Sequence, residues 1–153
     1  MSRPLLAVLL VLSGCAVAPS AASSSQLDDP AVYADAIVAA SNRARADRDL
    51  RPLAPSTCAA EQALARAKAL VGVDLEHADL KPVISACSPP SGLAAENLSR
   101  AAAAPEAVVA AWLDSPGHAN NLLSPQLTQL GVACVPTEVE GKPQMLCAQA
   151  FLG

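Results

Sequence analysis

The chain has 153 residues, 52% of them hydrophobic and 16% charged, with a formal net charge of −4 at pH 7. This length suits one domain with a real core rather than two, and the apolar content excludes a disordered chain. The acidic balance argues against a nucleic-acid partner, and 2% aromatic residues leave little surface for stacking on bases or sugars.

In chain order, Arg3 and the apolar run Leu5 to Leu12 come first. The run is far shorter than the roughly 20 residues of a membrane-spanning helix and reads as an export signal. It ends in Leu12-Ser13-Gly14-Cys15, which resembles the lipobox of bacterial lipoproteins. The alternative is an ordinary secretory signal with a chance cysteine. Residues 1–14 are therefore expected to be a lipoprotein signal peptide, and Cys15 the acceptor of diacylglycerol and palmitate. Two buried acyl chains, at about 0.8 kcal/mol per CH2, anchor far more firmly than one. Loss of Arg3 leaves a mature chain of formal charge −5, so lipid rather than a basic patch would hold it to a membrane. Residues 15–27, rich in Ala, Ser and Pro, form a tether with a reach of about 20 Å. The folded domain is expected over 28–153.

Asp29-Pro30 supplies an N-cap and a first-turn proline, and Tyr33, Ile37, Ala40 and Ala44 mark the buried face of a first helix that ends before Pro52. Ser56 or Thr57 caps a second helix with the stripe Ala60, Leu64, Ala67 and Val71, closed by Gly72. From Asp74 to Leu93 the sequence reads as irregular, with a turn at Pro89-Pro90-Ser91-Gly92. A third helix opens near Pro105 and carries Val108, Val109 and Trp112, a core anchor. Ser115-Pro116 restarts a short helix with His118 in its first turn. Leu130 to Val135 and Met145 to Phe151 then form a hairpin, buried on both faces, about Glu140-Gly141.

Four cysteines follow Cys15, an even number that suits an exported domain and allows three pairings. The hairpin register favours one. Turning at Glu140-Gly141 puts Cys134 opposite Cys147, which leaves Cys58 for Cys87. The competing reading, a cysteine-rich metal site, lacks any C-x-x-C spacing to support it.

The two histidines, His77 and His118, sit beside turn or cap residues, and Glu96 lies among apolar neighbours, where burial demands a partner. Two imidazoles and a carboxylate are ligands that zinc accepts, but separations of about twenty residues carry no local metal signature. Spacing alone assigns these histidines to the surface or to ordinary hydrogen bonds. Asn97-Leu98-Ser99 matches a glycosylation sequon by chance, and Asn97 is expected to hydrogen-bond within the fold.

A longer pattern changes that reading. Asn42-Arg43-Ala44-Arg45, Pro52-Leu53, His77-Ala78-Asp79-Leu80, Glu96-Asn97-Leu98, Trp112-Leu113-Asp114-Ser115-Pro116-Gly117-His118 and Gly131-Val132 occur in the order seen in CAP domains, the cysteine-rich secretory and pathogenesis-related-1 superfamily. The chain resembles the compact bacterial type from about Asp28 to its end. The resemblance implies an α+β fold, a three-layer α-β-α sandwich with a C-terminal hairpin, in which His77, Glu96 and His118 line a central cavity. Eukaryotic relatives have a glutamate at the position of Ser115, so the fourth member of their cluster is Ser115 or Asp114 here. His118, in the first turn of a helix, would be held neutral by the helix dipole and so keep a lone pair for a metal.

The expected function is a binding module for a lipid, an envelope component or a protein partner. It would be monomeric, exported and lipid-anchored to the cell membrane or within the cell envelope, and its cleft would be able to hold zinc or another divalent metal. The alternative is a metal-dependent hydrolase of the cell envelope with Glu96 as general base. Covalent catalysis has no support in a sequence without Gly-x-Ser-x-Gly and with its mature cysteines paired.

Overall fold

The computed structural model describes residues 29–153; the expectations for residues 1–28, Cys15 among them, lie outside it. The elements are α1 (Pro30–Ala46), β1 (Ala54–Pro55), α2 (Thr57–Ala69), α3 (Lys81–Cys87), β2 (Ala94–Ala101), α4 (Pro105–Asp114), α5 (Pro116–Leu122), β3 (Gln129–Val139) and β4 (Lys142–Leu152). The sheet has the order β1-β3-β4-β2, with only the β1–β3 pair parallel. Helices cover both of its faces, giving the expected α-β-α sandwich.

Local chemistry starts the helices. Asp29 Oδ1 accepts from the backbone N–H groups of Ala31 and Val32, at 3.0 and 3.2 Å, and Pro30 occupies the first helical position. Ser56 Oγ accepts from Ala59 N–H at 3.2 Å at the head of α2. The hairpin turns at Glu140 and Gly141, both with positive φ, as a two-residue turn matched to strand twist requires. Its register places Cys134 opposite Cys147, as expected, and both disulfides form with the expected partners.

One face of the sheet packs Leu130, Cys134, Met145, Cys147 and Phe151 against Tyr33 and Ile37 of α1 and Val108, Val109 and Trp112 of α4. Trp112 is core, its indole N–H donating to Leu98 C=O at 3.0 Å. The other face sets Leu146, Ala148, Ala150 and Leu152 against Ala59, Ala63 and Ala67 of α2. Here the expected stripe was displaced. Ala67 is buried, but Leu64 and Val71 are exposed and Ala59 and Ala63 take the inward positions. Small side chains let the helix approach β3 at Gly131, which a leucine at the contact would prevent.

Two further elements differ from the sequence reading. Residues 81–87, expected to be irregular, form α3, a helix with no buried residue that Cys87 ties to Cys58. Ala94–Ala101, to which the sequence reading assigned no element, is the strand β2, paired along its whole length with β4. Its sequence, AAENLSRA, has one large apolar residue and much alanine, so neither β-propensity nor alternation marks it; pairing with β4 imposes the strand. The hairpin strands are also longer than expected, and only β4 is buried on both faces over most of its length.

Polar side chains complete the frame. Asn42 exchanges two hydrogen bonds with the backbone of Leu53, and the Arg45 guanidinium donates to the carbonyls of Arg51, Leu122 and Ser124 at 2.8 to 2.9 Å. Arg45 is 2% exposed and has no carboxylate partner among the described residues, and burial lowers its pKa. The carbonyls stand in for a counter-ion and pin the loop between α5 and β3 to the end of α1.

Candidate functional site

Alternation along β2 decides which way its polar residues point. Glu96 lies opposite Ala150 and shares its face with α2, whereas Asn97 lies opposite Gln149 and faces α1 and α5. Because β2 is an edge strand, a cleft opens beside it, reached from one side by His77 and Leu80 and from the other by His118 and Asn121. Its volume is about 420 Å³, and Ala78, Leu80, Ala94 and Ala95 supply apolar wall.

His77, Glu96 and His118 meet here, as the resemblance implied. The Glu96 carboxylate, 8% exposed, takes His77 Nδ1 on Oε1 at 3.0 Å and Arg66 Nε on Oε2 at 3.1 Å. Arg66 Nη2 also donates to Glu76 C=O, which ties the chain before His77 to α2. On the other wall His118 Nδ1 lies 2.9 Å from Ser115 Oγ, so Ser115 meets the ring instead of capping α5 through its side chain. The imidazole centroids are 6.1 Å apart.

The expected metal ligands differ in what already engages them. Among the described residues no three His, Cys, Asp or Glu side chains are placed to share one ion. Glu96 is committed through both oxygens, Asp114 is exposed and does not line the cleft, and Ser115 is turned to His118. The groups left that could hold a divalent metal are the two imidazoles, whose Nε2 atoms have no hydrogen-bond partner among the described residues. Glu96 then acts from behind, fixing the ring of His77.

The pKa of His118 is lowered, first by burial and second by the charge of His77. The direction agrees with the sequence reading, but the causes are tertiary rather than the helix terminus. Between this lowered value and the ordinary one near 6.5, the unfolded chain binds more protons at His118 than the folded one, so stability falls as pH falls through that window. Comparing urea midpoints of wild type and His118→Gln at pH 7.5 and 5 should show the smaller acid loss in the variant. Equal losses would mean that His118 does not carry this linkage.

Asn97, expected to hydrogen-bond within the fold, does so, and with residues that the sequence reading did not single out it holds the cleft in place. Asn121 Nδ2 donates to Glu96 C=O at 3.1 Å and to Asn97 Oδ1 at 3.0 Å. Asn97 Nδ2 donates to His118 C=O at 3.3 Å and to Gln149 Oε1 at 3.0 Å, and Gln149 Nε2 reaches Ser41 Oγ at 2.9 Å. Asn97, Gln149 and Ser41 are wholly buried, so this chain links α1, β4, β2 and α5 through the core. Asn97→Ala leaves the buried Gln149 amide and the half-buried Asn121 amide each one partner short and is expected to cost about 2 to 4 kcal/mol, read from chemical denaturation. A cost below about 1 kcal/mol would show the network to be dispensable. Asn121, three residues past His118 on one helix face, was open to notice from spacing. Arg66, 30 residues from Glu96, gave no local signal.

Comparison with known proteins agrees with this geometry. Residues 38–150 match the family model of the cysteine-rich secretory protein family, CAP. A 42-residue stretch, 28% of the chain, is 45% identical to the uncharacterized protein YkwD of Bacillus subtilis and spans 16% of that protein. An extracellular protein containing an SCP domain from Bacillus anthracis superposes with a TM-score of 0.61 at 22% identity, over 86% of this chain and 44% of that one. A cysteine-rich secretory protein of Staphylococcus aureus gives 0.59 at 16%, over 82% and 39%. An outer surface protein of Borrelia burgdorferi gives 0.56 at 13%, over 88% and 98%. The chain thus spans less than half the length of the first three of these proteins.

Proposed function

Because the chain belongs to the cysteine-rich secretory protein (CAP) family, we propose that it is an exported binding module that takes a lipid, an envelope component or a protein partner at the cleft beside β2. Two disulfides in so small a domain support export to an oxidising compartment. Attachment to the membrane rests on diacylglycerol at Cys15. Cys15→Ala is expected to abolish acyl labelling and release the protein into the soluble exported fraction; persistent labelling would overturn the anchor.

One observation carries the binding reading: the cleft is roomy and largely apolar, yet two imidazoles and an amide reach it from its two walls, the pattern of a site that orients a ligand by a few polar contacts. Zinc or another divalent metal fits the two imidazoles and would supply a Lewis acid there. His77 would present Nε2 because Glu96 accepts from Nδ1, and burial would keep His118 neutral. The decisive experiment is mass spectrometry of molecules co-purifying with the protein from its native envelope, in wild type and in the His77→Ala/His118→Ala variant. A ligand enriched on wild type and lost from a folded double variant is expected; identical profiles would reject the cleft as the binding site.

The second reading, a metal-dependent hydrolase, draws on the carboxylate beside the imidazoles. Glu96 would be its general base, but both of its oxygens are already held, one by a guanidinium. That pairing suits an orienting group better than a proton acceptor.

A further inference from the structure

The edge of the sheet opposite the histidine cleft is left incomplete. β1 covers only its first part: Ala54 N–H donates to Thr128 C=O at 2.8 Å and Ser56 N–H to Leu130 C=O at 2.9 Å, after which the chain turns away into α2. β3 runs on to Val139. Alternate residues of a strand aim their backbone groups at opposite edges, so those of Val132 and Cys134 follow Leu130 on this edge. Neither has a backbone partner there among the described residues. Pro136, next in the series, has no N–H and ends the ladder. A largely apolar groove of about 390 Å³ lies along this edge, walled by Pro30, Ala31 and Ala34 of α1 and by Ala60, Glu61 and Leu64 of α2, with β3 as its floor.

We propose that this groove takes an extended segment of a partner protein, of alternating apolar and basic residues, as a strand added to β3. Val132 and Cys134 each offer a donor and an acceptor, and an added strand satisfies them as β1 satisfies Thr128 and Leu130. From Val132 to Pro136 the floor is about 14 Å long, room for about four or five residues. Alternation divides their side chains between the walls. Those toward α1 meet only apolar groups; those toward α2 meet Leu64, exposed at the mouth, and Glu61, which has no ion-pair partner among the described residues. No Lys or Arg lines the groove, and Glu138 stands further along the same edge. Charge therefore selects the occupant. Residues 16–28 of this chain contain no Lys or Arg, and a second copy would bring its own Glu61 and Glu138 to the contact. A basic segment meets these carboxylates with opposite charge.

Fluorescence anisotropy on the purified protein, with a fluorescein-labelled peptide of alternating valine and lysine, tests the assignment. Saturable one-to-one binding is expected, with the counterpart carrying glutamate for lysine at least roughly tenfold weaker. Glu61 is exposed on α2, so Glu61→Lys should fold and reverse that order. Two further peptides, N-methylated on every valine or on every lysine, report the ladder. One set of N–H groups faces β3 and the other faces away, so one methylation should weaken binding roughly tenfold or more and the other should not. Absent saturable binding, an order of affinities that Glu61→Lys leaves unchanged, or two methylations of equal effect overturns the added strand. Displacement by a peptide of residues 16–28 as effective as by unlabelled lysine peptide would assign the groove to this chain's own segment instead. Sedimentation as a dimer that the lysine peptide dissociates would assign it to a second copy.

Discussion

Gly131→Ala is expected to destabilise the domain by at least about 3 kcal/mol, the upper range for overpacking a core. A Cβ at Gly131 would fall on the backbone of Ala59 and Ala60, 2.6 Å from Ala60 Cα, with no side chain able to yield. Either α2 lifts from β3 or the strand moves, and both break the contact that lets Ala59, Ala63 and Ala67 sit on the sheet. Lifting α2 would also carry Arg66 away from Glu96, so the cleft should loosen with the fold. Urea denaturation measures the cost, and Gly117→Ala is the control, since nothing lies within 4 Å of a Cβ there. A change at Gly131 no larger than the control's, within about 0.5 kcal/mol of wild type, would contradict the close approach.

Removing the disulfides should have an effect of similar size. The chain-entropy model gives about 3.6 kcal/mol for the Cys58–Cys87 bridge, which spans 29 residues, and about 2.9 kcal/mol for Cys134–Cys147, which spans 13. Their consequences should differ. Cys134 and Cys147 are buried between β3 and β4, where the ladder itself holds the register, so replacing both with alanine should lower stability throughout the domain. Cys58 and Cys87 join α2 to a short helix with no fully buried residue, only Val83, Ile84 and Cys87 being half-buried, so their replacement should free α3 first. Hydrogen exchange is expected to show lost protection over 81–87 in the Cys58→Ala/Cys87→Ala variant while β3 and β4 stay protected relative to the reduced global stability. Retained protection over 81–87 would show that packing, and not the bridge, holds α3.

Local chemistry made much of this protein legible before any coordinates. Asp29-Pro30 and Ser56 announce helix starts because a cap acts on backbone groups two or three residues away. Counting outward from Glu140-Gly141 pairs Cys134 with Cys147 because strand register is fixed once the turn is known. The motif order around His77, Glu96 and His118 brought those residues to one cleft, and family membership followed the same residues.

What depends on partners distant in sequence was decided by the tertiary structure alone. Whether Leu64 or Ala63 faces inward is set by how closely α2 must approach Gly131, and no helical period contains that distance. β2 is a strand because β4 offers it a ladder, against the modest strand propensity of its own residues. Glu96 is held through both oxygens because Arg66, from another layer, meets the one that His77 does not. The sequence by itself determined the caps, the turn, the pairings and the meeting of His77, Glu96 and His118 in one cleft. Tertiary packing decided which atoms in that cleft are already engaged and which, the two Nε2 atoms, face it without a partner among the described residues. The division follows interaction range: caps and turns act over a few residues, while burial and ion pairing depend on neighbours that only the folded chain brings together.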